Sequence, residues 1–176
     1  MTMTLVETIT VSTPVNSMAF ASIPQTGQDL YILFSGRQST SSDGLFMRFN
    51  NVSTGVYSYR ALRGAGSGTP TSVTASAQTF MYIGATGNST ETTNTFSNVS
   101  IIVPNYAVVQ AKSASADSVT ENNLAAADAR ITAGASTATT AITSLQLLTS
   151  ADTFIAGTTA SLYLVSTTGA TGATVA

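Results

Sequence analysis

The nearest approach to catalytic equipment in this chain is a set of three carboxylates, Asp117, Glu121 and Asp128. Paired acids cleave glycosides when one protonates the leaving oxygen and the other attacks or activates water. The spacing here matches no specific mechanism, and a solvated loop explains the three acids equally well. The composition supplies little else: 176 residues include no His, no Cys, no Trp and a single Lys, Lys112. General acid–base, nucleophilic and zinc chemistry draw on those residue types. No catalytic residue, cofactor-binding residue or metal ligand is assigned, no cofactor is expected, and the chain does not read as an enzyme. The alternating Asp/Asn of a calcium loop, closed by Gly and Glu, is also missing.

The glycine cluster Gly64, Gly66 and Gly68 follows a predicted strand, as a phosphate-cradling loop would. It lacks the GxGxxG spacing, and Pro70 with β-branched residues follows where a helix should begin, so a loop between strands is expected. Asn51-Val-Ser, Asn88-Ser-Thr and Asn98-Val-Ser match the glycosylation sequon. In a chain with 23 Ser and 31 Thr such matches arise by chance. Arg48, Arg60 and Arg63 lie close in sequence to Phe49, Tyr57 and Tyr59. Guanidinium and aromatic groups on adjacent strands can stack on a sugar ring or anchor a protein interface. Ordinary strand packing, with Arg stems covering tyrosine rings, is the competing explanation. Arg48, Tyr57, Tyr59, Arg60 and Arg63 are therefore the candidate interface or ligand face, with a protein interface favoured over a sugar.

The elements that must position these residues are strands. Apolar residues recur at period two in Leu5–Val11, Met18–Phe20, Leu30–Phe34, Leu45–Phe49 and Tyr57–Arg60. The same period marks Thr79–Ile83, Val99–Val103, Thr143–Thr149 and Leu162–Val165, with weaker strands at Val108–Ala116 and Ala129–Ala135. Tyr31 and Leu33 alternate with Leu30, Ile32 and Phe34, so this strand is expected at the centre of a sheet with both faces apolar. Residues 84–94 read as a polar hairpin tip. Glu121–Arg130 alone has helical propensity, enough for one or two turns. Roughly nine to eleven short strands without crossover helices indicate an all-β antiparallel sandwich or jelly roll with extended termini.

Domain organisation follows: residues 1–166 form the sandwich, and residues 167–176, built from Gly-Ala-Thr units, form a low-complexity C-terminal tail or arm. Met1–Thr4 presents the same choice between a frayed end and an arm. Charged residues make up only 8% of the chain and leave a net charge of −2. So few charges leave a surface of hydroxyls and amides suited to burial against other subunits. Five Arg against one Lys fits that reading. The absence of a basic run argues against nucleic acid. No apolar run approaches the roughly 18 residues a bilayer-spanning helix needs, and the N-terminus lacks the pattern of a signal peptide. A soluble chain that does not bind membranes is expected.

One set of segments carries a resemblance. Ile23-Pro24-Gln25-Thr26 leads to Asp29-Leu30 and Ser35-Gly36-Arg37, followed by Arg48-Phe49-Asn50 and by Tyr57 through Gly64. Val103-Pro104-Asn105-Tyr106, Asp117-Ser118-Val119, Glu121-Asn122-Asn123, Phe154-Ile155-Ala156-Gly157 and Ser161-Leu162-Tyr163 complete it. Together they resemble small virion-associated β-sandwich proteins of tailed bacteriophages, especially phages of marine and cyanobacterial hosts. The resemblance spans nearly the whole chain apart from the tail. It implies a non-enzymatic role on the particle as a head-decoration or a fibre/tail component, and no catalytic residues. Because the sequence has its own Met1 and no shaft repeats, a stand-alone capsid decoration (cement) protein is expected. Its partners would be the major capsid protein and copies of itself, as a trimer. It would be made in the host cytoplasm and sit on the virion surface. The alternative is a host-recognition module of a tail or fibre that binds glycan.

Overall fold

A computed structural model describes residues 1–66, 68–124 and 127–166. The described residues form twelve strands, beginning with β1 (Thr2–Thr10), β2 (Ser17–Phe20), β3 (Asp29–Gly36), β4 (Gly44–Phe49), β5 (Tyr57–Ala65) and β6 (Thr71–Gln78). The second half adds β7 (Met81–Ala85), β8 (Ser97–Val103), β9 (Lys112–Val119), β10 (Asp128–Ser136), β11 (Leu145–Leu148) and β12 (Thr159–Ser166). All strand pairings are antiparallel. Eight strands form one sheet in the order β1-β12-β3-β8-β9-β10-β5-β6, and four form the other in the order β2-β11-β4-β7.

With the hairpins β5–β6 and β9–β10 set aside, the chain changes sheet at every step except from β4 to β7, which pair within the small sheet. What remains is β1-β12-β3-β8 facing β2-β11-β4-β7, the eight-stranded jelly roll. One hairpin is inserted between β4 and β7 and the other at the crossover from β8 to β11; they dock side by side through β10 and β5, which doubles the width of the larger sheet.

Between the layers the period-two residues interdigitate: Leu30, Ile32 and Phe34 of β3 and Leu162 of β12 face Leu45, Met47 and Leu147. The hairpin extension is lined differently. Ala114, Ala116, Ser118, Thr132 and Gly134 face inward, so β7 comes very close. A Cβ on Gly134 would lie 2.2 Å from Met81 Sδ, and one on Gly84, at φ +141°, 2.6 Å from Ser118 Oγ.

The fold departs from the sequence pattern at several points. The 121–130 segment contains no helix among its described residues, and β10 begins at Asp128. Here Glu121 Oε1 accepts from Asn123 N–H at 2.7 Å and Asn122 Oδ1 from Leu124 N–H at 3.0 Å. These side-chain bonds replace helical ones. Residues 84–94 do not form a hairpin tip, because β7 and β8 lie in different sheets. The buried Arg37 guanidinium holds this crossover by donating to the carbonyls of Glu91 (3.1 Å), Thr92 (3.0 Å) and Thr95 (2.9 Å). Residues Gly64 and Ala65 belong to β5, so the glycine loop starts later than expected. Strand β6 forms in a segment that has no apolar period. Thr2–Thr4 are neither frayed nor an arm: they pair with Ser166, Val165 and Leu164. The tail, residues 167–176, lies outside the described residues. Strand β3 is central as expected, but Leu33 on its outer face is exposed.

Candidate functional site

The five candidate residues do not share one face. Alternation along β5 sends Tyr57, Tyr59 and Arg63 to the inner side of the large sheet and Arg60 to the outer side. Arg48 lies on the other sheet, on the outward side of β4. Tyr57 is a buried clasp: its hydroxyl accepts from Phe49 N–H at 2.9 Å and donates to Phe49 O at 3.3 Å. Burial raises the pKa of its phenol, so it stays protonated.

Tyr59 and Arg63 belong to a network that seals the extension. Arg130 grips Asp128 with two bonds, from Nε (3.0 Å) and Nη2 (2.8 Å), and Nη2 also reaches Asp43 at 2.5 Å. Its Nη1 donates to the Tyr82 hydroxyl, and its guanidinium stands over the Tyr82 ring. Arg63 Nε meets Asp128 Oδ2 at 2.5 Å. Tyr59 packs on Tyr82 with ring centroids 5.5 Å apart, and Phe46 joins Tyr82 and Phe80 at 5.6 and 4.3 Å. Burial disfavours the Arg130 charge, but its carboxylate and tyrosine partners outweigh that and raise its pKa. Burial likewise raises the pKa of the Tyr82 phenol. Asp43, Tyr82 and Arg130 were missed in the sequence. Asp128 and Arg130, two apart on a strand, had to share a face, and that was the available signal.

The three acids are not brought together. Asp117 points outward and accepts from Ser100 Oγ at 2.8 Å. Asp128 points inward, and Glu121 binds its own loop. Among the described residues no three His, Cys, Asp or Glu form a metal-holding group.

Two surfaces remain. The first is a cleft of about 590 Å³ over the outward face of the small sheet. Its floor is Arg48, Gln146, Ser17 and Leu148. Gln146 lies directly opposite Arg48, and Leu148 opposite Ser17. Its wall is the turn 149–153, fixed by Asp152. That carboxylate accepts from Ser39 Oγ (2.6 Å), Thr40 N–H (2.9 Å), Thr40 Oγ1 (2.7 Å) and Thr153 N–H (2.7 Å). Burial alone would raise the Asp152 pKa, but these donors outweigh it and hold it below the ordinary value.

The second surface is the outer face of the eight-stranded sheet. Across its middle the cross-strand neighbours run Ser161, Leu33, Ser100, Asp117, Ile131, Leu62. The next row runs Tyr163, Tyr31, Ile102, Ser115, Ala133, Arg60. The two rows carry one carboxylate and one guanidinium, while Leu62 and Ile131 are 62% and 69% exposed. With Arg60 and Val73 they border a shallow groove of about 470 Å³.

No family model matches this chain, and neither a curated protein nor a solved structure matches it.

Proposed function

We propose that this protein is a non-enzymatic structural component of a tailed-phage virion, a decoration protein that binds the outer surface of the head as a trimer. The observation that carries the reading is the uncovered outer face of the eight-stranded sheet. It is broad and nearly free of charge, and it sets exposed aliphatic side chains among hydroxyls. Contiguous exposed apolar surface marks an interaction site. A stable protein contact buries about 1,600 Å² in total. An eight-stranded face can contribute such an area, and repetition over a shell multiplies a modest affinity per copy. Arg60 and Asp117 supply the little charge available to set register.

Purified protein added to undecorated heads should bind and raise their resistance to heat. Replacing Leu62 and Ile131 together by Lys should abolish binding while the free protein stays folded. Failure of the natural chain to bind such heads overturns the reading.

A further inference from the structure

We infer that the cleft over the small sheet is a binding site for a saccharide. The inference stands apart from the head-binding reading, which uses the opposite sheet.

Arg37 spends its guanidinium on backbone carbonyls, and Arg63 and Arg130 on carboxylates. Arg60 stands exposed on the other sheet. Arg48 differs from all of these. Its Nε is fixed by the carbonyl of Thr79 at 3.1 Å, yet its Nη1 and Nη2 have no partner among the described residues, and the side chain is half-buried on the cleft floor. Its cross-strand neighbour Gln146 is also half-buried, and its side-chain amide has no partner there either. Directly opposed residues on a sheet hold their Cβ atoms about 5 Å apart. An anchored fork of donors and an amide with both a donor and an acceptor thus stand side by side, their outer groups unspent.

The rim adds Asn16 and Asn51, whose side chains are likewise unengaged among the described residues. Leu148 and Ala151 supply a small apolar patch. Donors and acceptors around a limited aliphatic floor complement a ring that bears hydroxyls at its edge and C–H groups on its face. A hydrocarbon ligand would leave these polar groups unpaired, at a cost in affinity. The volume, about 590 Å³, falls within the range of small-ligand sites, roughly 300–1,000 Å³. The wall is preorganised, since Asp152 uses its carboxylate to tie the 149–153 turn to Ser39 and Thr40. Little ordering remains to be done on binding.

The test is NMR titration of the full chain with two probe sets, neutral hexose oligosaccharides and uronic-acid oligosaccharides. At least one set should shift signals of Arg48, Gln146 and Asn51, and the two arms separate a neutral ring from a carboxylate-bearing one. Arg48→Ala and Gln146→Ala should each weaken binding about tenfold or more, the loss expected when hydrogen bonds to a charged or half-buried group are removed. Leu62→Ser, on the other sheet, should leave it unchanged. Both cleft variants should keep the natural circular dichroism spectrum and still coat heads if the natural chain does. Absence of shifts with both probe sets overturns the inference, as does binding that survives Arg48→Ala.

Discussion

The two halves of the large sheet are stabilised by different means. Where β1, β12, β3 and β8 cover the small sheet, the interior is aliphatic and aromatic, with Phe20, Phe34 and Phe154 fully buried or nearly so. Under β9 and β10 the interior is mostly Ala, Ser, Gly and Thr, Tyr57 and Tyr59 fill it under β5, and the Arg130–Asp128–Arg63–Asp43 network closes one end. A thick apolar core loses stability with the volume removed from it. A thin one, in which backbones nearly touch, depends on a few polar pairs being complete. This sheet is widened without a matching second layer by three means: small inner side chains on β9 and β10, inward tyrosines on β5 and a sealed open end.

Substitutions can break or sharpen this contrast. The largest effects should appear together, one in each half. Phe154→Ala removes a buried ring and should cost about 3–5 kcal/mol in chemical denaturation. Asp128→Ala leaves Arg130 buried without its main partner and should cost about 3–5 kcal/mol as well. A cost below 1 kcal/mol for the second would show the network to be ornamental. Gly134→Ala should lose about 1–3 kcal/mol, because the new methyl overlaps Met81. Arg63→Ala should cost no more than about 1 kcal/mol, since its side chain is 40% exposed.

A smaller effect depends on pH. Asp152 has a folded pKa below its unfolded value of about 3.9. Its contribution is therefore complete above about pH 4 and is lost as pH falls through the folded pKa. Asp152→Asn should flatten that acid limb in a pH series of denaturation midpoints. An unchanged limb would show that the wall of the cleft is held by other contacts.

What the sequence disclosed, and what it hid, follows the same division. Leu30, Ile32 and Phe34, or Leu45, Met47 and Phe49, alternate because each strand has one face in a thick core, and the sandwich is legible from them. Strand β6 overhangs the small sheet and buries almost nothing, so Thr71–Gln78 carries no apolar period. The Ala-rich run before Arg130 reads as helical because alanine favours a helix, whereas Glu121 and Asn122 turn the chain through their own side chains. The pairing order was out of reach, since β1 meets β12 and β2 meets β11 across most of the chain. For the candidate face, parity alone would have separated Arg60 from Tyr57, Tyr59 and Arg63. No local pattern revealed that Arg48 belongs to the opposite layer, or that Asp43, Tyr82 and Arg130 converge from distant positions.

The inserted hairpins have a kinetic consequence. Pairs β5–β6, β9–β10 and β8–β9 join neighbours in the chain, whereas β1–β12, β3–β12, β2–β11 and β4–β11 close very long loops. Local pairs form within microseconds, and distant ones wait on slow chain searches. Each hairpin of the widened flank should thus form early, while the flank stays incomplete until the distant β5–β10 pairing forms and the first and last strands meet. During that interval its bare edge is the part of the nascent molecule most open to a wrong neighbour.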